Sequence, residues 1–210
     1  MAEKGAQVLE ADAVGHALLD QPPTREPLIE RFGEQILDFS GLPEKPPTID
    51  RRKLAAIVFS DDAALKALEG LLHPRMRQTF EKAISRAARK RQATAVVLDA
   101  AVLFEAKWHD LCDVIVFVDA PADVRLARLV ASRDWTAENL ATRERVQMSL
   151  DTKRGRADFV LENHDDDAAL SAAVDSLWDK LVRRPKTDPP RPSRLPRIEP
   201  DPAPDKPKKR

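Results

Sequence analysis

Two short runs, Ala95 to Asp99 (AVVLD) and Val114 to Asp119 (VIVFVD), restrict the fold more than any other feature of the chain. Both are apolar at successive rather than alternate positions. An extended segment of that kind needs cover on both faces, as it has in a parallel sheet with helices on either side. Phe159 to Glu162, after Asp158, reads as a weaker strand, and Ala6 to Glu10 (AQVLE) as a short one. Helical patterns follow: Ala122 to Arg133, Thr136 to Asp151 and Ala168 to Arg183. Strands alternating with helices predict an α/β fold with a parallel sheet. No internal repeat interrupts the pattern.

The first half is mostly helical. Met1 to Lys4 reads as the last turn of a helix ended by Gly5. Asp12 follows the first strand, and Ala13 to Asp20 reads as a helix that Pro22, Pro23 and Pro27 break. Leu28 to Leu37 carries helical spacing around Gly33, and Phe39 to Thr48 is a proline-rich loop. Asp50 is placed to cap a helix over Arg51 to Val58. Asp61 or Asp62 begins another helix that runs to Leu72, and Pro74 suits the first turn of a long one reaching Arg91. Near Pro185 the composition changes. About half of the 17 prolines fall from there to Lys208-Lys209-Arg210, with almost no large apolar residue. Residues 185–210 are predicted to be a disordered, partly polyproline tail, either simply solvated or touching RNA or an anionic surface.

Composition excludes several classes. Hydrophobic residues make up 42% and charged residues 33% of the chain, enough for a globular core. Lys+Arg and Asp+Glu number 35 each, so no global charge points to nucleic acid. The single cysteine, Cys112, rules out an internal disulfide and suits a reducing compartment. His109 and Cys112 are at most half of a metal site, because no second pair stands at ligand spacing. The apolar runs are too short for a membrane span, and the charged start does not resemble a signal peptide. The expected location is the cytoplasm, with no membrane partner.

The candidate site residues each have two readings. Asp12 stands just past a strand, where ligands bind in open parallel sheets. It is either a base for a substrate hydroxyl or the cap of the following helix. Asp99 ends another strand, placed to hold a magnesium-bound water or to orient a loop. His73, before Pro74, either contacts a ligand or caps a helix. Arg125, Arg128 and Arg133, then Arg143, Arg145, Lys153, Arg154 and Arg156, either neutralise a polyphosphate as a mobile lid does or form a solvated face.

In order, the fragments resemble the dephospho-coenzyme A kinases. Val8 to Ala13 (VLEADA), with His16 and Leu18-Leu19, is similar to that family's (I/L)DADxxxH segment, with Glu10 in place of its first aspartate. Phe32-Gly33 with Ile36-Leu37 looks like FGxxIL. Ile49-Asp50-Arg51 with Leu54 and Phe59 looks like LDRxxLxxxVF, and Leu71 to Pro74 like LxHP. Leu98-Asp99 with Leu103-Phe104-Glu105 resembles DxPLLFE, with Ala101 where proline is usual. Arg143, Gln147, Lys153, Ala157-Asp158 and Asn163 match the spacing of RxxxQ…K…AD…N. Each fragment is short. Their shared order covers about three-quarters of the chain.

The resemblance implies a P-loop-kinase-like sheet over residues 1–184, a helical substrate-binding region at 20–95 and a lid at 123–157. It implies transfer of the γ-phosphoryl group of ATP, accompanied by Mg2+, to the ribose 3′-hydroxyl of dephospho-coenzyme A. Asp12 would be the base. His73, Asp99 and Glu105 would bind the acceptor, and Arg143, Gln147, Lys153 and Asn163 would serve ATP and the lid. One departure is large. The family opens with a strand and a G-x-x-x-x-G-K-(S/T) phosphate loop, and none of the glycines at 5, 15, 33, 41, 70 and 155 stands in such a motif. The expected gap is a first, central strand, the loop and most of one helix. Either the recorded start lies inside a longer protein, or the chain is a loopless relative that binds a ligand or partner without catalysis. Another small-molecule kinase of this fold is a third reading, disfavoured by the matches at His73 and Leu103-Phe104-Glu105.

Overall fold

The computed structural model describes residues 1–41, 46–90, 93–133, 136–164 and 167–182; the predicted tail at 185–210 lies outside them. A single 3-10 turn, Ala2–Lys4, ends at Gly5, whose φ of 83° is the left-handed value glycine tolerates. Strand β1 (Ala6–Glu10) runs directly into helix α1 (Ala11–Leu19). Helix α2 (Pro22–Phe32) follows, then a small antiparallel pair, β2 (Leu37–Asp38) with β3 (Thr48–Ile49). Helices α3 (Arg51–Val58) and α4 (Asp62–Lys90) lead to β4 (Ala95–Asp99). The remainder is β5 (Val116–Asp119), α5 (Ala122–Arg133), α6 (Ala137–Arg145), α7 (Leu150–Arg156), β6 (Phe159–Glu162) and α8 (Asp167–Val182).

The parallel strands form two separate pairs. β1 pairs with β4, with Glu10 opposite Asp99, and β5 pairs with β6, with Asp119 opposite Glu162. Among the described residues no ladder joins β4 to β5. The two apolar runs that demanded cover on both faces are therefore incompletely covered. The β4 residues Ala95 to Leu98 are only half-buried, and Val118 on β5 is 52% exposed. A two-stranded parallel ribbon is a poor unit by itself, since parallel strands occur almost only inside larger covered sheets.

Two proline expectations are corrected. α1 ends at Leu19, before Pro22 and Pro23 as expected, and these two then open α2, whose first turn needs no backbone N–H donor. Pro27 lies inside α2, and the Pro23 carbonyl that loses its helical donor accepts instead from the Arg75 guanidinium. Pro74 does not begin a helix; it sits in the middle of one continuous 29-residue helix. Next to it, Arg75 donates through Nη1 to the Leu71 carbonyl at 2.8 Å. The expected helix from Thr136 to Asp151 is instead two, α6 and α7, parted at residues 146–149.

Most buried apolar mass lies among the helices. Leu19, Leu28, Phe32, Ile36, Leu37, Ile49, Leu54, Val58 and Ala64 form one cluster. Ala11, Leu18, Met76, Phe80 and Trp108 form a second, under the carboxyl end of β1. Asp50 caps α3 as its spacing predicts, accepting from the Arg52 and Lys53 amides at 2.9 and 3.2 Å.

Candidate active site

The site is built at the carboxyl ends of β1 and β4. Because β1 runs straight into α1, the capping position falls on Glu10 and no side chain makes a cap bond. Asp12 lies in the first turn of α1, exposed, two residues past the end of β1. The helix-cap alternative for Asp12 is thereby removed: the helix starts two residues earlier than its sequence pattern suggests. Asp99, also exposed, ends β4 beside Glu10, so both candidate carboxylates belong to one end of the ribbon. One turn after Asp12, the His16 ring takes Arg51 Nη1 on its Nδ1 at 2.9 Å. A guanidinium only donates, so Nδ1 accepts and the proton of the neutral ring sits on Nε2. Burial and the Arg51 charge hold the His16 pKa below 6.5, against an opposing pull from Asp12.

His73 is mid-helix, so it caps nothing. Its ring meets Trp108 edge-on at 5.1 Å, and Trp108, 1% exposed, meets Phe80 likewise at 5.0 Å. Trp108 carried no sequence signal beyond its size, yet it is the post on which His73 rests. Near it, Glu105 Oε1 accepts from Lys153 Nζ at 2.9 Å and from the Met148 amide at 2.8 Å. Lys153 also donates to Gln147 Oε1 at 3.0 Å. Thus Glu105, Gln147 and Lys153, expected in two different parts of the site, stand together. His73 belongs to the same electrostatic neighbourhood, since Glu105 pulls its pKa up while burial, the larger effect, pushes it down.

The lid-like stretch is tied by its arginines. Arg125 binds the Ala120 carbonyl at 2.6 Å and Glu144 at 2.8 Å, joining α5 to α6. Arg128 reaches the Asn163 carbonyl at 3.1 Å, and the Asn163 amide donates to the Asp119 carbonyl at 2.7 Å, so Asn163 stands at the carboxyl end of the β5–β6 pair. Arg154 pairs with Asp119 at that same end. The side chain of Arg133 lies outside the described residues. Arg143, exposed on α6, stacks its guanidinium over the Phe59 ring at 4.7 Å, a contact between the lid-like segment and the end of α3 that no sequence pattern indicated. Cys112 is the opposite of a reactive thiol: desolvation, then Asp113 and Asp110, push its pKa up to about 11. Among the described residues no three His, Cys, Asp or Glu side chains converge on a metal position.

Burial leads the lowering at all three perturbed histidines, His16, His73 and His109. The unfolded chain protonates a histidine near its ordinary 6.5, while the folded one resists. Between those values the unfolded state binds more protons, so stability is complete above about 6.5 and falls as pH drops through that value toward the folded pKa. The melting temperature is expected to decline from pH 7 to 5.5. His73→Gln should flatten that slope. An unchanged slope in the variant would show that His73 does not contribute.

Comparison with known proteins follows the same lines. The sequence model of the family described as dephospho-CoA kinase matches residues 1–168. The dephospho-CoA kinase of Thermobifida fusca is 30% identical over 185 residues, 88% of this chain and 88% of the relative. That of Deinococcus radiodurans is 36% identical over 179 residues, 85% of this chain and 82% of the relative. A crystal structure from Thermus thermophilus superposes with a TM-score of 0.68 at 32% identity, covering 86% of this chain and 87% of that one. The dephospho-CoA kinase structure from Campylobacter jejuni, at 21% identity and a TM-score of 0.59, is similar in fold. No described helix is long and apolar enough to cross a membrane.

Proposed function

The chain belongs to the dephospho-CoA kinase family, and from that premise we propose that, once joined to a phosphate loop, it transfers the γ-phosphoryl group of ATP to the ribose 3′-hydroxyl of dephospho-coenzyme A. The observation that carries the reading is Asp12: exposed, past the end of β1, and not spent on capping α1. In this role its carboxylate accepts the 3′-hydroxyl proton as the oxygen bonds to the γ-phosphorus and ADP departs. His73 and Glu105 border the acceptor on the α4 side, with Asp99 at the end of β4, opposite Glu10. Arg143 and Asn163 lie toward ATP. Residues 20–95 form the acceptor region and 123–157 the lid.

Magnesium suits this donor set only in one manner. With no three-ligand cluster among the described residues, the ion would arrive with ATP and keep phosphate oxygens and waters as ligands, Asp99 taking a bound water. When bound, it neutralises phosphate charge. The phosphate cradle is the remaining requirement, and the 210 residues contain no G-x-x-x-x-G-K-(S/T) motif. The break between β4 and β5 supports the idea that a strand and loop inserted there would provide it.

The test is direct. This chain, preceded by the strand and phosphate loop of a family member, is incubated with ATP, magnesium and dephospho-coenzyme A, and a phosphoryl group is sought on the ribose 3′ position. Binding of dephospho-coenzyme A with no turnover would favour the non-catalytic reading. In the same protein Arg143→Ala should lower kcat/KM for ATP by roughly 10- to 100-fold, the worth of one charged hydrogen bond. Dephospho-coenzyme A binding should stay nearly intact. Equal losses for both ligands, or none, would remove Arg143 from the nucleotide side.

A further inference from the structure

Lys153 is the one lysine the fold buries among the described residues, at 7% exposure, and its ammonium is fully occupied. An ammonium has three N–H donors. Three acceptors surround this one: the Ala101 carbonyl at 2.7 Å, Glu105 Oε1 at 2.9 Å and Gln147 Oε1 at 3.0 Å. None is left to aim at a phosphate. The same few residues hold the break between α6 and α7. Glu105 takes the Met148 amide at 2.8 Å. One turn beyond Lys153, Arg156 lies 4.4 Å over the Phe104 ring and reaches the Met148 sulfur at 3.6 Å. Two basic residues of α7 thus clamp the 146–149 turn to the 101–105 loop. α6, just before that turn, has no buried residue of its own among those described.

We propose that Lys153 is a positioning residue: its ion pair with Glu105 fixes the 147–153 base on which the lid α5–α6 pivots, and it does not bind ATP. This deepens the kinase reading and rests on it for the lid's role alone. A lid anchored at one foot can close repeatedly on the same geometry, whereas a loose foot misplaces Arg143 relative to the reacting atoms.

The proposal makes Lys153→Met harmful for a stated reason: it strands the Glu105 carboxylate, partly buried and already with one oxygen, Oε2, lacking a partner. The melting temperature should fall by about 10 °C, and hydrogen exchange should rise at residues 137–149 but not in β1 or β4. Adding Glu105→Gln to the same chain removes the stranded charge and should restore at least half of the melting temperature. In the phosphate-loop fusion, Lys153→Met should cut kcat roughly 10- to 100-fold with KM for ATP changed less than about threefold, and the double variant should recover part of kcat. If the single variant does not fold, the double variant decides, and its failure to fold overturns the latch. A tenfold or larger rise in KM for ATP with an unchanged melting temperature, and no rescue by Glu105→Gln, would make Lys153 a phosphate ligand after all. Absence of turnover in the unsubstituted fusion would sink the kinase reading but leave the melting and exchange comparisons intact.

Discussion

Residues 1–210 by themselves are expected to melt broadly and to form no coenzyme A, while the fusion carrying a family strand and phosphate loop melts about 10 °C higher and turns over. Both effects come from the break between β4 and β5. β4 offers a half-buried edge with no ladder partner on that side among the described residues, and Val118 of β5 is 52% exposed. A strand inserted between them would satisfy backbone groups on two edges, each worth about 1–3 kcal/mol where buried. It would also cover apolar side chains at about 25 cal/mol per Å². A gain of about 4 kcal/mol is a large part of a domain's margin of about 5–15 kcal/mol, and corresponds to about 10 °C at this chain length. Catalysis changes more steeply, because phosphoryl transfer depends on positioning and charge neutralisation that no described residue supplies in place of the loop. Scanning calorimetry and a coenzyme A assay on the two proteins check both halves. A sharp melt of residues 1–210 at the temperature of the fusion would show that the two strand pairs are self-sufficient. Turnover by residues 1–210 would show that the reaction needs no such loop.

Asp12→Asn in the fusion is expected to lower kcat by about 10²- to 10⁴-fold, with dephospho-coenzyme A affinity little changed. The substitution keeps size and hydrogen-bonding shape and removes only the ability to take a proton. Its structural cost should be small, since Asp12 is exposed and makes no cap bond whose loss would fray α1. The melting temperature should therefore move by no more than one or two degrees, the scale of surface changes. The two readouts separate the roles. A normal kcat with a lowered melting temperature would return Asp12 to a helix-stabilising residue.

The local sequence determined the elements whose signals are local. Ala6–Glu10, Ala95–Asp99 and Phe159–Glu162 are strands as their apolar runs require, and α3 and α5 begin and end where capping and periodicity put them. The order of short motifs was enough to indicate the family, because order survives where each fragment alone is ambiguous. The prolines misled because their cost depends on whether a distant donor replaces the missing bond. Arg75, about fifty residues from Pro23 in sequence, does so, and only the packing of α4 against α2 brings it there. Residues 136–151 misled because helical periodicity continues through a turn that Glu105, from another part of the chain, holds open. The candidate site divides the same way. Asp12 was legible as a residue just past a strand end, and Asp99 as the last residue of a strand. Lys153 read as one more basic residue of a lid, since a sequence records that a side chain is charged but not whether it is buried. Tertiary structure alone surrounded its ammonium with three acceptors, the arrangement on which the proposed positioning role rests.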